Sequence, residues 1–136
     1  SNIGDRAGHL EKARLLIQEK ALLVRATSAL DNPALIFEDQ DDFLNQVLEI
    51  QTELPPLELL DFLKLIEKKI GRQERFRYGP REIDIDILFY GRLRLETESL
   101  KIPHPGVLRP YAVALLKELG MDAVALYESI TGDVNG

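Results

Sequence analysis

The sequence predicts an α+β fold, a sandwich in which helices cover one side of an antiparallel or mixed sheet. Two patterns lead to this prediction. Some segments carry apolar residues at helical spacing, and others alternate apolar and polar residues as half-buried strands do. The chain has 136 residues, which favours a single domain over residues 1–136. Its hydrophobic fraction of 45% is ordinary for a soluble globular protein.

Charge and composition narrow the class of function. The net charge of −6 disfavours a general binder of nucleic acid or of anionic membranes, although it leaves room for a local anion site. The chain has no cysteine, so disulfides and thiolate metal sites are excluded. No apolar run is long enough to span a membrane and no signal pattern is recognisable, so a cytoplasmic location is expected.

Four segments show the apolar spacing of a helix that packs on one side. Asp5 is the expected N-cap of the first, which should end near Lys20, and two prolines open the second. Gly71 is expected to end that second helix. The four predicted helices cover residues 5–20, 55–70, 110–119 and 121–130.

Alternating segments predict strands connected by turns. In the segment 43–52, the face that contains Leu44 and Leu48 is expected to point to the core. Asn45 lies on the opposite face, where it is either a solvated polar residue or a hydrogen-bonding group for a planar ligand. The predicted strands cover residues 21–28, 43–52, 83–88, 93–96 and 100–102, the last two as a short hairpin-like pair.

The segment 83–88 carries the clearest chemical signal in the sequence. Asp84 and Asp86 lie two residues apart, so in a strand both carboxylates point to the same face, roughly 6.5–7 Å apart. The isoleucines at 83, 85 and 87 point to the other face and are expected to be buried. Two carboxylates on one face must be solvated or neutralised, and two hard cations would neutralise them.

A basic run precedes this acidic segment. It comprises Arg72, Arg75, Arg77 and Arg81. Such a run is either a solvated face or an anion site, and the planar fork of arginine suits phosphate because it donates two hydrogen bonds at once. Further along, His104 lies between two prolines, where it is either a structural residue or a donor to phosphate. From the residues alone, the chain is therefore an α+β domain with a metal–phosphate site expected at Asp84 and Asp86.

The residues around this site resemble a known family. Residues 77–88, RYGPREIDIDIL, and residues 102–105, IPHP, are similar to the signature of the 6-hydroxymethyl-7,8-dihydropterin pyrophosphokinases. The resemblance extends to SNIGDR at residues 1–6, DFLN at 42–45, IE at 66–67 and GR at 71–72. It implies transfer of pyrophosphate from ATP to the hydroxymethyl group of the reduced pterin, with release of AMP, in folate biosynthesis. It also implies a ferredoxin-like α/β sandwich with a mostly antiparallel sheet.

The resemblance assigns roles to particular residues. The catalytic group would be Arg72, Arg81, Asp84 and Asp86, of which Asp84 and Asp86 would also hold two Mg²⁺ ions. The ATP site would comprise Glu67, Arg72, Arg75, Arg77, Arg81, Ile87, His104 and Arg109. The pterin site would comprise Asn32, Pro33, Leu35, Phe43, Asn45, Tyr78 and Asp84. The implied partners are these small molecules, and binding to nucleic acid or to a membrane is not expected. The resemblance also implies fusion to other folate-pathway enzymes or proximity to them.

The sequence also departs from the family pattern. Tyr78 stands where tryptophan is usual, Leu30, Asn32 and Ile36 differ in the pterin loop, and the spacing from His104 to Arg109 is one residue shorter. The family's first strand is absent before the SNIGDR motif, so a longer parent protein is expected. These departures support an alternative, a non-catalytic or impaired relative that binds pterin or nucleotide. A third interpretation leaves both aspartates solvated on an exposed sheet face without a ligand.

Overall fold

The computed structural model of the chain describes residues 6–32, 43–74 and 83–132, and for residues 32, 43 and 72–74 it describes the backbone alone. The chain divides into two compact units whose boundary lies between Ile85 and Asp86. Within the described residues, four helices accompany three antiparallel two-stranded sheets. This combination confirms an α+β fold, while the single domain over residues 1–136 stays a prediction.

The first unit contains two helices and four strands. They are α1 (Arg6–Ile17), β1 (Leu22–Ala26), β2 (Leu30–Asn32), β3 (Phe43–Asn45), β4 (Leu48–Gln51) and α2 (Pro56–Glu74). β1 pairs antiparallel with β4, and β2 pairs antiparallel with β3. On the first pair, Arg25 lies opposite Glu49 and donates to its carboxylate over 2.7 Å.

Helices α1 and α2 contact each other and provide most of the core of this unit. Their buried side chains recur every three or four residues, as the sequence predicted. The buried apolar residues of the unit are Ala13, Ile17, Leu59, Leu63, Ile66, Ile70 and Ile83. The expected end of α2 at Gly71 is wrong, because the helix continues to Glu74. A glycine inside a helix costs only about 1 kcal/mol, and the adjacent Ile70, 1% exposed, packs that turn onto the core.

The predicted strand over residues 43–52 is interrupted. β3 ends at Asn45 and β4 begins at Leu48, and the two pair with different partners. The expected contrast between a core face and an outer face is also absent, since residues 44–50 are all half-buried. The chain changes partners at Gln46 and Val47, so the period of two does not persist through the break.

The prediction of a strand over residues 83–88 is wrong. No ladder hydrogen bonds are assigned to residues 83–90 among the described parts of the chain. The expected burial is confirmed for Ile83 and Ile87, which are 4% and 7% exposed, whereas Ile85 is half-buried. Alternation reports which side chains are buried, whereas a strand also requires a paired neighbour, and the sequence pattern carries no information on that neighbour.

The second unit begins with a turn and a short hairpin. The N–H of Leu93 donates to Tyr90 O over 3.0 Å, and Gly91 has the positive φ of 56° that this turn requires. The predicted hairpin-like pair is confirmed in a shorter form, and the last two predicted helices are confirmed. The elements are β5 (Leu95–Glu96), β6 (Lys101–Ile102), a 3₁₀ helix (Pro105–Leu108), α3 (Pro110–Glu118) and α4 (Ala123–Thr131).

The core of the second unit lies between the hairpin and its helices. Its buried apolar residues are Ile87, Leu100, Ile102, Val107, Ala112, Leu115, Leu116, Leu119 and Ala123. Asp122 caps α4 by accepting from the N–H of Ala125 over 3.1 Å. Across the described ranges, every helix is too short or too polar to cross a membrane.

Candidate active site

In the first unit, the backbone beside Asp84 is held by a carboxylate from α2. Glu67 Oε2 accepts from the N–H of Ile85 over 2.6 Å, while its other oxygen lies 3.4 Å from Lys64 Nζ. The Glu67 side chain is only 11% exposed, so this bond is shielded from water. Asp84 itself is exposed, next to the buried Ile83. Glu67 therefore anchors the peptide that joins Asp84 to Ile85.

In the second unit, Asp86 lies near the imidazole of His104. Its side chain is 56% exposed, and Oδ1 lies 3.8 Å from His104 Nε2, which is too long for a hydrogen bond. His104 Nδ1 accepts from the N–H of Gly106 over 2.8 Å, so in the neutral ring the proton is on Nε2. The backbone N–H of His104 also donates to Leu88 O over 2.9 Å. The ring therefore presents an N–H donor on the side of Asp86.

The position of the His104 ring depends on the absence of a side chain at Gly106. A Cβ there would lie 2.9 Å from His104 Nδ1 and 3.1 Å from Cε1, which is too close without a shift of the ring. The 3₁₀ helix that contains Gly106 begins directly after His104 and follows a cis peptide bond at Ile102–Pro103. The local sequence PHPG thus fixes both the backbone and the imidazole.

Asn45 presents an unusual amide in the first unit. Its Nδ2 atom is buried, and no hydrogen-bond partner for it is found in the part of the chain that the structure describes. Buried polar groups in proteins are nearly always paired, so an orphaned donor calls for an explanation. The residue as a whole is half-buried, and its predicted role at the pterin stays a prediction.

Two further predicted ATP residues lie in the second unit. Ile87 is 7% exposed and belongs to the core of that unit. Arg109 is exposed and precedes α3, and its backbone N–H donates to Gly106 O over 3.1 Å. Its side chain makes no capping bond to the helix, so the guanidinium is not needed for the fold at this point. Their roles at ATP stay predictions.

The remaining predicted site residues are only partly covered. For Asn32, Phe43 and Arg72 the structure describes the backbone alone, with Asn32 opposite Phe43 in the β2–β3 pair. Their predicted roles at pterin and ATP therefore stay predictions. The predicted residues Pro33, Leu35, Arg75, Arg77, Tyr78 and Arg81 lie outside the described residues.

The sequence analysis missed the polar residues around Asn45. Gln46 receives a hydrogen bond from Arg14 and donates one to the backbone of Thr27, both over 2.6 Å. One signal was available, since Gln46 fell on the expected core face of a predicted strand and a polar residue there needs partners. It missed Gly106 as well, because only the folded turn brings that position against His104.

Within the described ranges, no group of three or more histidine, cysteine, aspartate or glutamate side chains is arranged to hold a metal ion. Asp84 in the first unit and Asp86 in the second each carry a carboxylate, which is a hard oxygen ligand. Mg²⁺ is commonly held by one or two protein carboxylates together with water and substrate phosphates. Each of these carboxylates is therefore of the chemical type that Mg²⁺ prefers.

Comparison with known proteins identifies the family of this chain. The chain matches the family model of 7,8-dihydro-6-hydroxymethylpterin-pyrophosphokinase over residues 1–120. A 2-amino-4-hydroxy-6-hydroxymethyldihydropteridine pyrophosphokinase of Aquifex aeolicus is 46% identical over 105 residues, 77% of this chain and 66% of that protein. Its counterpart in Bacillus subtilis is 40% identical over 122 residues, 88% of this chain and 73% of that protein.

A longer relative also matches. The mitochondrial folate synthesis bifunctional protein of Pisum sativum is 38% identical over all of this chain and 28% of its own length. The chain thus spans a little under two thirds of the Aquifex protein and just over a quarter of the Pisum protein. The match over residues 1–120 includes both aspartates, His104 and Asn45. The chain belongs to the 7,8-dihydro-6-hydroxymethylpterin-pyrophosphokinase family, a family of enzymes.

Proposed function

We propose that this chain transfers the pyrophosphoryl group of ATP to the hydroxymethyl oxygen of 6-hydroxymethyl-7,8-dihydropterin, in folate synthesis. The hydroxymethyl group loses its proton to water and its oxygen bonds to the β-phosphorus. The bond between the β-phosphorus and the oxygen that bridges it to the α-phosphorus breaks, and AMP leaves with that oxygen. One observation carries the proposal beyond family membership. The two aspartates of the acidic segment are both exposed, while Ile83 and Ile87 on either side of them are buried.

That exposure supports a role for both aspartates in holding two Mg²⁺ ions. Bound Mg²⁺ supplies positive charge that offsets the charge on the phosphate oxygens during transfer. Phosphoryl transfer depends mainly on positioning and on charge stabilisation, and the protein has little covalent chemistry to perform. The anchoring of the Ile85 N–H by Glu67 supports the same proposal, because a fixed backbone keeps the neighbouring Asp84 in place.

The buried amide nitrogen of Asn45 supports a reduced pterin as the substrate that receives the pyrophosphoryl group. A reduced pterin has a flat ring whose edge carries both hydrogen-bond donors and acceptors. An orphaned amide N–H at the end of β3 would find an acceptor on that edge. A site that hydrogen-bonds its ligand discriminates strongly against an analogue that lacks the bonding group, because that analogue leaves the buried donor unpaired.

His104 supports binding of the triphosphate. Its Nε2–H is the free donor of a ring whose other nitrogen is occupied by Gly106. The predicted arginines 72, 75, 77 and 81 would add charge-assisted bonds to phosphate oxygens. We also propose, from family membership, a ferredoxin-like sandwich, a cytoplasmic location and association with other folate-pathway enzymes.

The proposal is tested by measuring AMP release from ATP and the hydroxymethyl-dihydropterin in the presence of Mg²⁺. Asp84→Asn and Asp86→Asn should each lower turnover by about a thousandfold, because each removes a charged ligand for the metal. Asp61→Asn is the matched control, since Asp61 is an exposed aspartate on α2 that should leave turnover unchanged. Circular dichroism before and after the assay checks that every variant is folded.

Binding measurements separate the enzyme from its alternative. Calorimetry with a non-hydrolysable ATP analogue should show binding that depends on Mg²⁺ and is lost in Asp84→Asn and Asp86→Asn. Binding of pterin or nucleotide without AMP release by the unmodified protein would favour the non-catalytic relative. Near-normal turnover in either aspartate variant would refute the metal role, and absence of any Mg²⁺-dependent ATP binding would leave the aspartates as solvated surface residues.

A further inference from the structure

The break between β3 and β4 lies at a junction of four strands. β3 pairs with β2 and β4 pairs with β1, so residues 27–29 and 46–47 join one strand pair to the other. Leu30 is the partner of Asn45 on one side of this junction, and Ala26 is the partner of Leu48 on the other. Asn45 is therefore the last residue of its strand before the chain changes partners. The direction of the Asn45 side chain therefore depends on the contacts that hold this junction in place.

Thr27 fixes one strand of the junction to the other. Its N–H donates to Val47 O and its hydroxyl oxygen accepts from the N–H of Val47, both over 3.0 Å. The same hydroxyl donates to Ser28 O over 2.8 Å. Thr27 is 5% exposed, so these bonds form away from solvent. One group of Thr27 remains, its backbone carbonyl, and that group is taken by Gln46.

Gln46 connects the junction to α1. Its Nε2 donates to Thr27 O over 2.6 Å, and its Oε1 accepts from Arg14 Nη1 over 2.6 Å. Arginine only donates and a carbonyl only accepts, so the orientation of the amide is set by its two partners. Glutamate at this position would lack the donor for Thr27 and lysine would lack the acceptor for Arg14. A neutral amide of this length meets both requirements.

We propose that Gln46 is a positioning residue that fixes the direction of the Asn45 amide. Gln46 is bonded on both sides by protein groups, while its neighbour Asn45 has a buried N–H with no partner among the described residues. The Arg14–Gln46–Thr27 tie holds the backbone at the end of β3, so the unpaired amide points in one direction. This role rests on the proposed function, in which that amide binds the pterin edge.

The tie is tested with Gln46→Met, which keeps the length of the side chain and removes both hydrogen bonds. The dissociation constant of the hydroxymethyl-dihydropterin, measured by calorimetry with Mg²⁺ and a non-hydrolysable ATP analogue, should rise about tenfold. That of the ATP analogue alone should stay the same. Gln51→Met is the matched control, because Gln51 is exposed on β4 and should leave both constants unchanged. A merely structural role would lower the melting temperature and leave pterin affinity intact, which would overturn the proposal.

A second variant and a second measurement complete the test. If Gln46→Met does not fold, Gln46→Glu replaces it, since this variant keeps the acceptor for Arg14 and loses only the donor for Thr27. The side-chain amide signals of Asn45 in a ¹⁵N–¹H spectrum report the direction of the group without any ligand. They should shift or broaden in the Gln46 variant and stay unchanged in Gln51→Met. Unchanged signals would overturn the positioning role even if pterin binds, whereas loss of pterin binding by the unmodified protein would overturn the proposed function alone.

Discussion

Asn45 and His104 are both predicted to contact substrate, and the two units hold them in opposite ways. In the second unit, the backbone N–H and Nδ1 of His104 are both engaged by backbone groups, of Leu88 and Gly106. In the first unit, the Asn45 amide nitrogen is buried with no partner in the described part of the chain. The protein fixes the His104 ring through Nδ1 and the backbone, whereas the Asn45 amide is left with a buried hydrogen bond unmade.

This difference determines what ligand binding can add at each position. A buried donor without a partner costs roughly 1–3 kcal/mol in the folded protein, and a ligand that accepts from it recovers that free energy on binding. A ring that the protein already fixes gives a ligand less to recover, but it provides a donor in a defined place. The first unit therefore holds a residue that favours binding at the expense of stability. The second holds one that is oriented before binding.

Among the variants that test this comparison, the largest effect is expected for Asn45→Leu, which tests its first half. Removing the amide should weaken binding of the pterin by about a hundredfold, because the ligand loses its partner in a buried site. The free energy of unfolding should be unchanged or higher by about 1 kcal/mol, since the orphaned donor is gone while the side-chain volume is kept. Chemical denaturation and calorimetry measure the two quantities.

The opposite signs of these two effects make the prediction specific. Leu44→Met is the control, since Leu44 is a half-buried neighbour on the same strand and should change neither quantity by much. A marked loss of stability in Asn45→Leu would mean that the amide is structurally required. The contrast with His104 would then disappear.

The second prediction concerns the network that surrounds the orphaned amide. Thr27→Val keeps the shape of the buried side chain but leaves the half-buried N–H of Val47 without its acceptor. The free energy of unfolding should fall by about 2 kcal/mol, as expected for a buried unsatisfied donor. Thr27→Ser retains the hydroxyl and should recover much of that loss. Equal stabilities for the valine and serine variants, measured by urea denaturation, would show that the hydroxyl does not support the junction.

The helices of this fold were predictable from sequence because the spacing of their apolar residues directly determines which side chains are buried. Leu63 and Ile66 are buried as their positions on one stripe require, whatever the helix packs against. The end of α2 and the strand over residues 83–88 were not predictable in the same way. Each depends on a neighbour elsewhere in the chain: the core that holds Ile70 in place, and the partner that a strand must have.

The same distinction applies to the candidate site. The exposure of Asp84 and Asp86 could be predicted from the sequence, because the two residues alternate with apolar isoleucines. The partners of Gln46 did not follow, because they lie 19 and 32 residues away along the chain. Nor could the sequence predict burial of the Asn45 amide nitrogen, since burial of a single atom depends on packing around the strand junction. Local periodicity predicts which side a residue faces, and tertiary contacts determine what it meets there.

The smallest effect is expected for Gly106→Ala, which tests the second half of the comparison. The added Cβ would lie 2.9 Å from His104 Nδ1, so the ring must move and the bond from the N–H of Gly106 is strained or lost. Binding of an ATP analogue should weaken about fivefold, because the ring no longer presents its Nε2–H in the same direction. Gly91→Ala is the control. It should lower stability in the same unit, since φ is 56° there, and leave ATP binding unchanged. If both variants lose stability alike and neither alters ATP binding, the fixed ring of His104 serves the fold of its own turn, and of the two side chains compared only Asn45 remains assigned to substrate.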